Sequence, residues 1–291
     1  LNHIMQNNLI DKQLVDTTMA QCGVSNLDDA SIRDTVKIAN LLEKATGEKF
    51  IRMEMGVPGL APSRIGTEAE IEALKHGVAQ FYPMLEGYPV LSEEASRFVK
   101  NFMDVDIRPE GIIPTVGAMQ ASYVAFMALT ECHKGKDTIL FIDPGFPVQK
   151  TQLEVIGKPY QTFDIYEYRE EKLEAKLREY LDRGNIAGIV YSNPNNPSWV
   201  CLTDFELQVI GKLATEYDTI ILEDLAYFAM DFRKDLGCPF EPPYQASVAR
   251  YTDNYIMQIS GSKAFSYAGQ RIGVTAISNK LYHRSYPGLT Q

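Results

Sequence analysis

From Gly111 onward, short apolar or β-branched runs alternate with stretches of helical spacing. The extended candidates are residues 112–116, 138–142, 160–165, 188–192, 219–222, 255–260 and 273–278. Several are near-continuous apolar runs (TILFI, GIVYS, TIILE) rather than alternating ones, which suits strands buried on both faces of a largely parallel sheet. Helices are predicted between them. The clearest covers 204–217, where Thr203 and Glu206 make a T-x-x-E capping box and Phe205, Val209, Ile210 and Leu213 form the buried stripe. The run 169–183 is charged, with Leu173, Leu177 and Leu181 on one side, and reads as a surface helix. Strands alternating with helices predict a three-layer α/β/α domain around a mostly parallel seven-stranded sheet. In such sheets ligands bind beyond the carboxyl ends of the strands, so chemistry is sought just after each extended run.

The first part of the chain has a different pattern. Residues 28–44 place Ile32, Val36, Ala39 and Leu42 at helical spacing, and Gly47 stops the run. The stretch 56–66 (GVPGLAPSRIG) is rich in Gly and Pro and reads as irregular chain. A domain boundary is expected near residue 50, with a helical arm over 1–50 and a large domain over 51–291. Two short helices, 67–76 and 92–102, are expected around the loop FYPMLEGYP.

Composition narrows the function classes. The 291 residues are 45% hydrophobic and 23% charged, which excludes disorder for most of the chain and allows one large domain or two ordinary ones. The net charge of −10 argues against general nucleic-acid binding, which needs a basic face. A local pocket can still oppose the global sign and hold a small anion. No apolar run reaches the length of a membrane span, and Leu1 to Asp11 lacks the pattern of a signal peptide. The absence of an initiator Met is compatible with a start inside a longer gene product. Cys22, Cys132, Cys201 and Cys238 are far apart and read as reduced thiols of a cytosolic protein. The four histidines are scattered as well, with no zinc-ligand spacing.

Five strand ends carry candidate chemistry. Thr115-Val-Gly-Ala-Met119 joins a strand to a helix; Gly lets backbone approach a ligand, and the free N–H groups of the helix suit a phosphate. Alone, it is equally a plain strand-to-helix turn. Asp143-Pro-Gly-Phe-Pro147 presents Phe146, either to stack on a flat ligand or to fill core. Tyr191-Ser-Asn-Pro-Asn-Asn-Pro197 offers amides for a hydroxyl or oxyanion, or for bonds to its own backbone. Glu223-Asp-Leu-Ala-Tyr227 ends an apolar strand in carboxylates, which need a cationic partner if partly buried; the alternative is an N-cap aspartate. Ser260-Gly-Ser-Lys-Ala264, followed by Gly269-Gln-Arg-Ile-Gly273, sets a lysine among small residues. Burial would lower its pKa and make it a nucleophile toward aldehydes; the alternative is a surface turn lysine.

One ligand accounts for all five: pyridoxal 5′-phosphate (PLP), with its phosphate, flat ring, ring hydroxyl, basic ring nitrogen and aldehyde. Over residues 56–273 the chain resembles the fold type I PLP enzymes of the class I/II aminotransferase family, whose fold is of the aspartate aminotransferase type. SNPNNPSW resembles the family's NP-x-NP-[ST]-G segment, EDLAY its D-x-x-Y segment, and SGSKAFSYAGQRIG its S-x-S-K-x(7)-R-x-G segment. The resemblance implies that Lys263 forms the internal aldimine and shuttles the proton between substrate α-carbon and cofactor. Asp224 would pair with the pyridine nitrogen, keeping the ring an electron sink. Tyr227 and Asn196 would hold the ring 3′-oxygen, and Phe146 would stack on the ring. Gly117, Ala118 and Met119 would place a helix N-terminus under the phosphate, with Ser260, Ser262 and Arg271 completing the cup. Tyr82 resembles the tyrosine that reaches the phosphate of the neighbouring subunit, implying a homodimer with shared sites. Gly56 resembles the segment lining the substrate side, and the N-terminal arm would contribute to a small domain.

The implied activity is a PLP-dependent aminotransferase acting on an L-amino acid and a 2-oxo acid in ping-pong order. A carbon–sulfur β-lyase of the same fold and a catalytically incompetent scaffold are the alternatives. A nicotinamide-dependent Rossmann enzyme is disfavoured, because no G-x-G-x-x-G follows a strand. Three features depart from the family pattern. Trp199 stands where the family has Gly, Ala118 and Met119 stand where some members have Ser or Thr, and only 28 residues (291 − 263) follow Lys263. The expectation is therefore a chain whose large domain is incomplete at its C-terminal end, whose small domain is incomplete, and which lacks the family's carboxylate-clamping arginine.

Overall fold

The computed structural model describes residues 10–289. They form two compact units that divide between Pro58 and Gly59. In the first, α1 (Lys12–Gln21) packs on α2 (Ile32–Thr46). Helix α2 starts later than the hydrophobic spacing suggests, because Leu27–Asp29 makes a 3₁₀ turn and Ser31 with Asp34 forms a capping box. Gly47, at φ 76°, closes the helix as expected, in a conformation that costs glycine little.

In the second unit the order is α3 (Arg64–Lys75), α4 (Pro89–Met103), β1 (Ile112–Val116), α5 (Gly117–Cys132), β2 (Thr138–Asp143) and α6 (Pro147–Val155). There follow β3 (Tyr160–Asp164), α7 (Lys172–Leu181), β4 (Ile186–Ser192), α8 (Asp204–Glu216), β5 (Ile220–Leu225), β6 (Tyr255–Ser260), β7 (Ile272–Ile277) and α9 (Asn279–Tyr282). Each of the seven extended runs is a strand. The largest boundary difference is in β5, which continues through Glu223 and Asp224 because both pair with β4 and β6.

The strands form one sheet in the order β1-β7-β6-β5-β4-β2-β3. Strands β3, β2, β4, β5 and β6 are mutually parallel, and β7 runs antiparallel to both β6 and β1. The central strands β4, β5 and β6 are buried along their whole length, which is why their sequences are continuous apolar runs. The outer strands are only partly covered, and Pro114 is tolerated in β1 because β1 is an edge. Packed against one face are Leu173, Leu207, Ile210 and Leu213 of α7 and α8. On the other, Phe126 and Leu129 of α5 and Leu153 of α6 pack on Phe141, Val190 and Leu222. The architecture is thus the three-layer α/β/α sandwich expected.

Helix α8 shows how a local signal and a tertiary contact merge. The capping box forms: Glu206 N–H donates to Thr203 Oγ1 at 3.2 Å, and Thr203 N–H to Glu206 Oε2 at 2.9 Å. Glu206 is fully buried and also accepts from the Arg169 guanidinium and from Glu170 N–H. The cap is therefore also the anchor of the segment leading into α7. Phe205, expected in the buried stripe, is exposed; Leu207 and Ala214 fill that role beside Val209, Ile210 and Leu213. The buried stripe starts at Leu207, and the turn before it points Glu206 at Arg169 and leaves Phe205 to solvent.

Glu223 points to the α7–α8 side of β5 and is fully buried. It accepts hydrogen bonds from Tyr191 Oη at 3.0 Å, Val248 N–H at 3.2 Å and Ser247 Oγ. Burial outweighs these three donors and pushes its pKa up to about 7 from 4.5.

Two predictions follow from these buried carboxylates. Glu206→Ala should cost about 2–4 kcal/mol in urea unfolding, since it leaves Arg169 and the helix N-terminus unpaired; Glu206→Gln should cost less. For Glu223 the folded protein holds the proton more tightly than the unfolded chain. Its contribution therefore weakens as pH rises from about 4.5 to about 7 and is flat above. The loss is on the order of a few kcal/mol. In urea titrations at pH 5 and pH 8, Glu223→Gln should be closest to wild-type stability at the higher pH.

Candidate active site

Strand direction decides which side chains meet. Strands β4, β5 and β6 end at one edge of the sheet, β1 ends there too, and β7 begins there. The reversal from β6 to β7 needs only the loop 261–271, because antiparallel neighbours require no crossover helix. That loop holds Lys263 and delivers Arg271 to the same edge as the end of β6.

Arg271 sits in the left-handed region at φ 54°. Its Nη1 donates to Ala268 O at 2.7 Å and to Ser262 Oγ at 3.2 Å, and Ser262 is tied to Ser260 by a 3.0 Å Oγ–Oγ bond. Across from it, Gly117 opens α5 at φ 68°. A Cβ on Gly117 would lie 2.5 Å from Arg271 Nη2, so only glycine lets the guanidinium seat against the helix start. Gly117, Ala118, Met119, Ser260, Ser262 and Arg271, the residues expected to form a phosphate cup, are thus gathered at one edge. The turn has a second support that the sequence did not reveal. Ser122 Oγ donates to Gln152 Oε1 at 2.7 Å, and Gln152 Nε2 donates to Met119 O at 2.9 Å.

Asp224 lies near the end of β5, on the sheet face opposite Glu223, and is 6% exposed. Its Oδ1 accepts from Ala226 N–H at 3.0 Å, and its Oδ2 from Gln149 Nε2 at 3.0 Å. The aspartate therefore both caps its own turn and remains a buried acid. Burial pushes its pKa up to about 6, against the pull of those two donors. A cation beside it would pull that value back down. Asp224 belongs to a polar row across the sheet, in register with Ser192 on β4 and Gln258 on β6, which pairs in turn with Thr275 on β7. Gln149 and Gln258 were not singled out in the sequence. Gln149 follows Phe146 by about one helical turn, and its burial is visible only in the structure.

Tyr227 is half-buried just past β5. Lys263 Nζ lies 5.7 Å from the centre of its ring, and the Trp199 ring meets it edge-on at 5.3 Å. Burial lowers the Lys263 pKa, and the Arg271 charge lowers it further. Burial and the nearby Asp224 charge both raise that of Tyr227. Lysine, tyrosine, aspartate and arginine thus share one electrostatic environment. A lysine shifted in this direction is a better nucleophile at neutral pH.

In the loop after β4, Asn193 and Asn195 hold the loop itself. Asn193 Oδ1 accepts from Leu202 N–H, and Asn195 Nδ2 donates to Pro144 O. Among the described residues no group bonds the side-chain amide of Asn196, whose backbone N–H donates to Ser192 Oγ at 3.2 Å. Phe146 is half-buried at the N-cap of α6. Tyr82 is fully exposed and joins none of these groups. Gly56 lies in the first compact unit.

The donor set suits a ligand with a phosphate at one end and a basic ring nitrogen at the other. The glycine cradle under Arg271 and a buried acid with no cation beside it among the described residues both fit PLP. Among the described residues no group of His, Cys, Asp and Glu could hold a metal ion.

Comparison with known proteins agrees. The probable aspartate aminotransferase of Methanocaldococcus jannaschii is 25% identical over 88% of this chain and 62% of its own length. The aspartate aminotransferase of Pyrococcus horikoshii is 29% identical, over 84% of this chain and 60% of its own length. The chain thus spans about three fifths of the length of these curated relatives. Among solved structures, an alanine aminotransferase from Pyrococcus furiosus superposes with a TM-score of 0.73 at 27% identity, covering 86% of this chain and 62% of that one. A Thermus thermophilus aspartate aminotransferase variant, at 20% identity and a TM-score of 0.71 over 87% of this chain and 63% of its own, shares the fold. The family model "Aminotransferase class I and II" matches residues 48–285, so the chain belongs to the class I and II aminotransferases.

Proposed function

We propose that the protein is a PLP-dependent aminotransferase that moves an amino group between an L-amino acid and a 2-oxo acid in two successive half-reactions at one site. The observation that carries this reading is the shared sheet edge. There Arg271 seats against Gly117, and Lys263 and Asp224 are both buried enough to have shifted acidities. The names of the relatives support it.

The bound cofactor would supply an electron sink for the substrate's α-carbanion. The chain's residues divide the remaining work. Arg271, Ser260, Ser262 and the N-terminal turn at Gly117, Ala118 and Met119 hold the phosphate. The guanidinium gives fixed-charge, bidentate contact. Asp224, held by Gln149 and its own turn, would pair with the ring nitrogen, and that cation would favour its ionised form. Tyr227 and Asn196 orient the ring oxygen, and Phe146 covers a ring face. Lys263 Nζ would be the nucleophile toward the cofactor aldehyde and would take the proton from the substrate α-carbon. Its lowered pKa favours the free amine that both tasks need.

The reading extends to partners. Phe81, Tyr82, Met84 and Leu85 form an exposed apolar loop that supports a homodimer in which Tyr82 serves the neighbouring site. Gly56 would line the substrate side, and the N-terminal arm would belong to a small domain. The four free cysteines support a reducing, cytoplasmic location. Among the described residues no helix is long and apolar enough to cross a membrane.

Two experiments test this. Incubation of the full-length protein with PLP, borohydride reduction and peptide mapping should give one phosphopyridoxyl group, on Lys263, and none in Lys263→Ala. An unmodified Lys263 would overturn the reading. Gly117→Ala should weaken PLP binding roughly tenfold or more, the scale of one charged hydrogen bond, because its Cβ displaces Arg271. Equilibrium dialysis with PLP and with inorganic phosphate would measure the loss.

A further inference from the structure

The single tryptophan of the chain, Trp199, occupies a costly position. Its backbone is left-handed, at φ 61°, where glycine is at ease and a bulky residue is strained. The loop holds it there. Trp199 N–H donates to Asn195 O at 3.0 Å, Asn195 N–H donates to Val200 O at 2.9 Å, and Ser198 bonds Asn195 Oδ1 through both its N–H and its hydroxyl. The strain is not offset by burial, because Trp199 is 45% exposed and belongs to neither core cluster. Its one ring partner among the described residues is Tyr227, met edge-on at 5.3 Å with the planes at 77°. That is a favoured aromatic geometry, and it fixes the plane of the partner ring. The same Tyr227 ring has Lys263 Nζ at 5.7 Å from its centre. A strained, half-exposed ring aimed at a site residue indicates a role in that site and not in the core.

We infer that Trp199 is a positioning residue, whose indole holds the Tyr227 ring in the plane from which its hydroxyl meets the cofactor's ring oxygen and its face meets Lys263. The inference rests on the proposed roles of Tyr227 and Lys263. It also gives the departure at this position a physical content. A glycine would relax the backbone and leave Tyr227 without its edge contact, so loop comfort and ring order are set against each other here.

The test compares full-length wild type, Trp199→Gly and Trp199→Phe. Trp199→Gly should be at least as heat-stable as wild type in the PLP-free form, because glycine relieves the positive φ. It should nevertheless bind PLP roughly 2- to 10-fold more weakly, the value of one edge-to-face pair. The pH midpoint of the bound cofactor's visible absorbance should also move, since Tyr227 and Lys263 set it. Trp199→Phe should restore both affinity and midpoint. In wild type, PLP should quench an emission component that is missing from Trp199→Gly and Trp199→Phe. If wild type binds PLP and Trp199→Gly matches it in affinity and midpoint, the inference falls while the functional reading stands. If Trp199→Gly loses heat stability and Trp199→Phe restores only that, Trp199 is merely structural and the inference falls. If the wild type takes up no PLP, the functional reading falls, and the inference with it.

Discussion

Two adjacent carboxylates in a fully buried strand constrain everything around them. Successive residues of a strand face opposite sides of the sheet, so Glu223 and Asp224 enter different environments. Burying a carboxylate is costly unless it is hydrogen-bonded or paired. Glu223 has three protein donors, from Tyr191, Ser247 and Val248. Those bonds tie the segment entering β6 to the sheet beneath the β4 and β5 loops. Among the described residues Asp224 has two donors, Ala226 and Gln149, and no cation. The first acid is satisfied within the fold, whereas the second is oriented by it and left suited to a positively charged ligand atom.

The second constraint is the antiparallel return of β7. Had β7 run parallel to β6, a crossover of a dozen or more residues would have been needed, and Arg271 would have entered at the far edge of the sheet. The short reversal keeps Lys263 and Arg271 within reach of each other electrically, which lowers the lysine's basicity. It also seats the guanidinium on Gly117 at the start of α5. A nucleophile and an anion cup thus come from one loop geometry.

Around this frame the family segments are supported by side chains outside them. The family model, the fold and the ordered segments point one way. Within that frame a tryptophan stands where the motif has glycine, and Gln149 supports the buried acid. Each acts by orienting a neighbour, Tyr227 in the first case and Asp224 in the second.

The layer architecture was legible in the residue pattern, because strands buried on both faces must be written as continuous apolar runs. The pattern also marked the strand ends, because Gly, Pro, Asn and charged residues cannot continue such runs unnoticed. All seven strands and the capping box at Thr203 were legible for these local reasons. Of the candidate site, the motif residues were legible as a list, but the sorting of alternatives was not. Only the tertiary structure decided that Asn193 and Asn195 serve their loop while the Asn196 side chain does not. It alone continued β5 through two carboxylates, since their neighbours in β4 and β6 supply the pairing. It alone turned Phe205 outward and set Trp199 against Tyr227. These outcomes depend on which groups lie across a gap in space, and one-dimensional periodicity carries no record of that.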